Sequence, residues 1–81
     1  MEELEVKIAS WTTVKIESTG ETTDPAIELT SKTDEWSLRV DESDSSKFVI
    51  RDGNDARVTI DTSGNVGVGV TDPDTTLEVY T

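Results

Sequence analysis

Gly64-Asn65-Val66-Gly67-Val68-Gly69-Val70-Thr71-Asp72-Pro73 alternates valine with glycine between two turn signals. In an extended chain Val66, Val68 and Val70 all point to one face. Gly67 and Gly69 then leave the opposite face without side chains. A glycine inside a strand weakens it unless the strand bends or another backbone must come very close. The pair predicts a bare strip against which another strand, or another copy of the chain, lies tightly. Ser63-Gly64-Asn65 opens the segment, and Pro73, which has no amide for a ladder, closes it. The expectation is a strand over residues 66–70.

Working outward, apolar pairs and triplets recur with period two: Ile27/Leu29, Trp36/Leu38/Val40, Phe48/Ile50, Val58/Ile60, Val66/Val68/Val70 and Leu77/Val79. Runs rich in Asp, Ser, Gly and Asn separate them, and the strands begin about 8 to 12 residues apart, the all-β signature. No stretch carries a helical period with caps. Towards the start, Leu4, Val6, Ile8, Val14 and Ile16 all fall on even positions. Leu4, Ile8 and Trp11 also fit helical spacing, but the β-branched content favours a strand. Residues 17–25 contain no large apolar side chain and read as a loop or hinge. The chain thus divides into an N-terminal attachment segment and loop, residues 1–24, and a β-repeat body, residues 25–81.

Part of this body resembles a known repeat. Arg57-Val58-Thr59-Ile60-Asp61-Thr62-Ser63-Gly64-Asn65-Val66-Gly67-Val68-Gly69-Val70, then Pro73, then Leu77-Glu78-Val79, is similar to a repeat of bacteriophage tail-fibre and tailspike proteins, which reads roughly r-x-T-I-D-x-x-G-N-V-G-I-G-T-x-x-P-x-x-x-L-x-V. Trp36-Ser37-Leu38-Arg39-Val40 and Phe48-Val49-Ile50-Arg51-Asp52 match the W-x-[IL] and F-x-I-x-D strands of that family. The likeness spans residues 26 to 80. It departs where Val70 replaces the common threonine, and where the sequence stops at Thr81 instead of running into a further shaft or a chaperone domain. The first thirty residues match no pattern of this kind. The resemblance implies a β-rich, trimeric virion appendage.

Composition bears on the same question. Leu, Ile, Val and Phe make up 19 of 81 residues, just above the roughly 20% level below which a highly charged chain is usually disordered. Each strand offers two or three apolar side chains on one face, too few for a two-layer sandwich. With no cysteine, disulfides cannot help, and with neither histidine nor cysteine a structural zinc site is disfavoured. Oligomerisation is the remaining way to stabilise so small a core. Three copies around an axis would pool their apolar faces; a five- or six-stranded monomeric barrel is the alternative.

A net charge of −11 disfavours nucleic acid and anionic membranes as partners. It also opposes self-association, so assembly is expected to strengthen with added salt or divalent cation. The sequence has no apolar run near 18 residues and no basic-then-apolar start, so neither a membrane span nor a signal peptide is read.

Candidate chemistry is sparse. Asp41, Glu42 and Asp44 with Asp52, Asn54 and Asp55 are oxygen-rich, but their spacing fits no calcium loop, and solvated turns explain them. Residues 64–69 carry a G-x-x-G-x-G pattern without the lysine and helix of a phosphate loop. No nucleophile elbow or metal triad is present, and paired carboxylates alone, in so short a chain, leave little room for a pocket. No enzyme activity and no cofactor is expected. Trp36, in phase with Leu38 and Val40, reads as core, whereas Trp11 is out of phase and suits a docking contact.

The expectation is therefore an all-β, intertwined homotrimeric β-fibre or β-prism-like body in a phage virion, assembled in the bacterial host cytoplasm. Trp36, Leu38, Phe48, Ile50, Ile60, Val66, Gly67, Val68, Gly69 and Val70 would pack the trimer. Leu4, Val6, Ile8 and Trp11 would dock on capsid or tail by strand addition. The start at Met1 and stop at Thr81 tilt the reading towards a complete small capsid decoration protein. A tail-fibre or spike segment binding host-surface carbohydrate through exposed aromatics, and an acidic DNA mimic, are the alternatives.

Overall fold

The computed structural model describes residues 3–81. Six strands form one sheet: β1 (Ala26–Thr30), β2 (Glu35–Asp41), β3 (Lys47–Asp52), β4 (Asp55–Ile60), β5 (Val66–Val68) and β6 (Leu77–Val79). They lie side by side in chain order, so β1 and β6 are free edges and the sheet does not close into a barrel. β1 to β5 pair antiparallel, each with the next, while β6 runs parallel to β5. The only helical element among the described residues is a 3-10 turn, Glu42–Asp44.

Turn chemistry explains the meander. Between β1 and β2, the Ser31 hydroxyl accepts the amides of Thr33 and Asp34, at 3.3 and 3.0 Å. Between β2 and β3, the Asp41 carboxylate caps the 3-10 turn by accepting the Ser43 amide at 3.1 Å. Ser45 and Ser46 then take left-handed backbone angles. Gly53 has φ +62° and opens a two-residue hairpin loop, as a type II′ turn requires. In the β4–β5 turn the Asp61 carboxylate gathers the amides of Ser63 and Asn65 and the Asn65 side chain, at 3.0, 2.9 and 3.3 Å. Gly64 turns the chain there at φ +88°. The Asp-Thr-Ser-Gly-Asn run is thus a self-contained turn.

Directly opposed residues share a face, so the register sorts the side chains. One face collects Ile27, Leu29, Trp36, Leu38, Val40, Phe48, Ile50, Val58, Ile60, Val66, Val68, Leu77 and Val79. A bulge after Ile50 leaves Arg57 without an opposite residue, which keeps Val58 and Ile60 on that face. The other face carries Ser37, Arg39, Lys47, Val49, Thr59 and Gly67.

Burial inverts the usual expectation. The most buried side chains are Val49 at 2% and Thr59 at 1% exposure, both on the polar face. The chain's own crossover from β5 to β6, residues 69–76, runs over this face at Gly67 and Lys47. Gly67 has no room above it: a Cβ there would lie 2.4 Å from the Val70 carbonyl oxygen. Lys47 pins the crossover from below, its ammonium donating to the Thr71 carbonyl at 2.8 Å and pairing with Asp44 at 3.1 Å and Asp72 at 3.5 Å. Pro73 is buried within it.

Several expectations change in detail. The Val66 strand ends at Val68; Val70 leaves the alternation and folds back over Gly67. The close neighbour that Gly67 admits within one chain is this crossover. Gly69 lies beyond the strand at φ +79°, with a Cβ position 3.0 Å from the Tyr80 Cβ. Residues 3–25 form no strand within the chain, because their alternating apolar residues have no ladder partner there. Trp36 keeps phase with Leu38 and Val40 and is 41% exposed within the single chain.

Candidate interaction face

The apolar face is the feature that needs a partner. Ile27, Leu29, Trp36, Phe48, Ile60, Val68, Leu77 and Val79 on it are all classed among the exposed large apolar residues. Leu38, Val40, Ile50, Val58 and Val66, nearer the middle, are half-buried by their neighbours alone. A contiguous apolar surface of this kind marks an interaction site. Global dimensions agree. The chain exposes 6661 Å², against about 4,800 Å² for a compact protein of this mass. Its radius of gyration is 15.0 Å, against about 12 Å for a globular chain of this length. The surplus lies in the uncovered face and in the N-terminal segment.

Asp52, opposite Trp36, and Asp55, opposite Asp52, are the exceptions on the face. The bulge turns Arg57 towards them, with the guanidinium 3.7 Å from the Asp52 carboxylate and 3.8 Å from that of Asp55. Asp34, from the adjoining turn, sets a second carboxyl beside that of Asp52. Interaction with the Asp34 carboxyl, helped by burial, pushes the Asp52 carboxyl up. The same interaction and the Glu35 amide, 2.9 Å away, hold Asp34 down. The six acidic-turn residues considered as a calcium site are not brought together. Asp41, Glu42 and Asp44 lie at one end of β3, and Asp52, Asn54 and Asp55 at the other, roughly 17 Å apart along the strand.

The N-terminal segment is tied to the sheet at one point. The Asp24 carboxylate accepts the Glu42 amide at 2.8 Å and pairs with Arg39 at 3.4 Å. Arg39 is held further by the Ser37 hydroxyl at 3.1 Å and by Glu28 at 4.0 Å. The Val40 amide donates to the Pro25 carbonyl at 3.2 Å. Beyond this anchor, Val14 and Ile16 pass beside the apolar face and, with Pro25, Ile27, Leu38, Val40 and Phe48, border a groove of about 370 Å³. A bend at Ala9 and Ser10 separates them from Leu4, Val6 and Ile8, which stay exposed. Trp11 is 98% exposed.

The structure therefore sets Trp36, Leu38, Phe48, Ile50, Ile60, Val66 and Val68 on one face, and it separates Gly67, Gly69 and Val70 from them. The sequence reading passed over Lys47, Asp24 and Arg39. A lone lysine between two acidic runs was the available signal for the first; nothing local marks the other two. No family model matches the chain, and no curated protein matches it in sequence.

Proposed function

We propose that the chain is a non-enzymatic structural component of a bacteriophage virion, a short trimeric β-rich fibre or decoration element fixed to capsid or tail through its N-terminal segment. One observation carries the assembly part: a single-layer sheet displays thirteen apolar side chains on one face, with nothing of its own chain covering most of them. Burying that face against two sister copies builds the second layer that a stable β domain needs. The resemblance of residues 26 to 80 to phage tail-fibre repeats supports the virion assignment. The exposed Leu4, Val6, Ile8 and Trp11, hinged beyond the Asp24 anchor, suit strand addition to another virion protein. A variant lacking residues 2–12 is the test: it should remain trimeric in sedimentation but fail to label virions when added back to particles that lack the protein. Undiminished labelling would refute the docking role.

A further inference from the structure

We infer that Leu77 and Val79 of β6 in one copy seat in the groove beside β1 of the next, so that the assembly closes head to tail along its sheet edges. This rests on the trimer reading and specifies its contact. The apolar face is asymmetric. At the β1 end it is concave, a groove of about 370 Å³ walled by Val14, Ile16, Ile27, Leu38, Val40 and Phe48. At the β6 end the same face presents Leu77 and Val79, 61% and 52% exposed. An apolar cavity of about 150 Å³ holds a benzene ring, so the groove has room for about two large side chains. A cyclic assembly of more than two copies needs such a heterologous contact, one patch on each copy meeting a different patch on its neighbour.

Strand direction allows it. The alternating order makes β1, β3 and β5 run one way, and β6 runs with β5. Rotation about an axis along the strands preserves direction, so β6 of one copy meets β1 of the next in parallel. The −11 carried by each copy opposes association as a whole, but among the described residues no unpaired charge is placed in the contact itself. Glu78 faces away from the contact, accepting the Asp74 amide at 2.9 Å. Arg39, the one charged residue bordering the groove, is already paired with Asp24 and Glu28.

The chain has no cysteine, so engineered pairs read out cleanly. In the Ile27→Cys/Val79→Cys variant the two positions lie on opposite edges of the sheet, about 24 Å apart over five strand spacings. A disulfide within one chain is out of reach. Both sites are half exposed, so the substitutions leave the fold intact. Oxidation with copper phenanthroline should give bands at two and three chain masses, the trimer predominating, while either single variant should stay uncrosslinked beyond dimer traces. A chain that sediments as a trimer yet does not crosslink overturns this contact and leaves the trimer standing. A chain that stays monomeric overturns both. A ladder running past three keeps the edge contact and overturns threefold closure. Efficient dimers of Val79→Cys alone would show a twofold contact and refute the inference.

Discussion

Replacing Gly67 by alanine tests how the crossover sits on the sheet. The added methyl would stand 2.4 Å from the Val70 carbonyl oxygen and 2.8 Å from its Cγ2. Ordinary carbon contacts are about 3.5–4.0 Å, so the crossover must rise by roughly 1 Å. The obstacle is backbone, which no rotamer change relieves. Overpacking costs about 1–3 kcal/mol, and a backbone obstacle places this case near the top, about 3 kcal/mol. A strand otherwise gains some 0.5–1 kcal/mol when glycine becomes alanine, leaving a net loss of about 2 kcal/mol. For a domain of this size that lowers the melting temperature by about 8–16 °C. Circular dichroism melts at equal protomer concentration measure it, since assembly would make the midpoint concentration-dependent. Gly53 is the control: its φ is +62° and no atom lies within 4 Å of a Cβ there. Asparagine tolerates that backbone better than alanine does, so Gly53→Asn should melt above Gly53→Ala. At Gly67 the order should reverse, because asparagine is larger. A Gly67→Ala variant within 1 °C of the parent, or Gly67→Asn melting above it, would refute the packing of Val70 over β5.

Thr59 is 1% exposed and its hydroxyl has no hydrogen-bond partner. Thr59→Val removes that orphan without changing shape and should stabilise by about 1 kcal/mol, read as a higher urea midpoint at unchanged slope. Lys47→Met should release the crossover, seen as faster hydrogen exchange at the Gly69 and Tyr80 amides, which bond to Arg57 and Val68; unchanged exchange would contradict the pin. Stability should peak at mildly acid pH. The raised Asp52 carboxyl binds its proton more tightly when folded, so its contribution grows as pH falls towards and through its folded value, above the ordinary 3.8. Asp61, held low by the Asn65 and Ser63 amides, and Asp34 contribute above 3.8 and lose that contribution as pH falls through their lower folded values. Asp52→Asn should flatten the acid-side rise, and denaturation midpoints between pH 3 and 7 would show it.

The strands and turns were legible because their signals are local. Period-two valines and isoleucines, Gly53 and Gly64 at loop positions, and the Asp61 turn each act within a few residues. The phase that assigns Trp36, Leu38 and Ile50 to one face also follows from local alternation. Which face is covered does not. Gly67 is covered because Val70 folds back over it, and Lys47 is buried because it reaches Thr71 and Asp72, some twenty-four residues on. The alternation Val66-Val68-Val70 suggested one longer strand, yet left-handed Gly69 breaks it and sends Val70 to the opposite side. The N-terminal residues show the same limit from the other direction. Leu4, Val6 and Ile8 have strand periodicity, but a strand exists only where a partner supplies the ladder. Asp52, two residues after Ile50, falls on the apolar face by the same alternation, whereas its pairing with Arg57 depends on the bulge in β4 and has no local signal.

The bare face governs the whole account, and its burial against sister copies is read most directly from the mass in solution. Sedimentation equilibrium at micromolar concentration should give about 27 kDa, three times the 8.9 kDa of one chain, with association strengthened by added salt. A single 8.9 kDa species that unfolds cooperatively would contradict it.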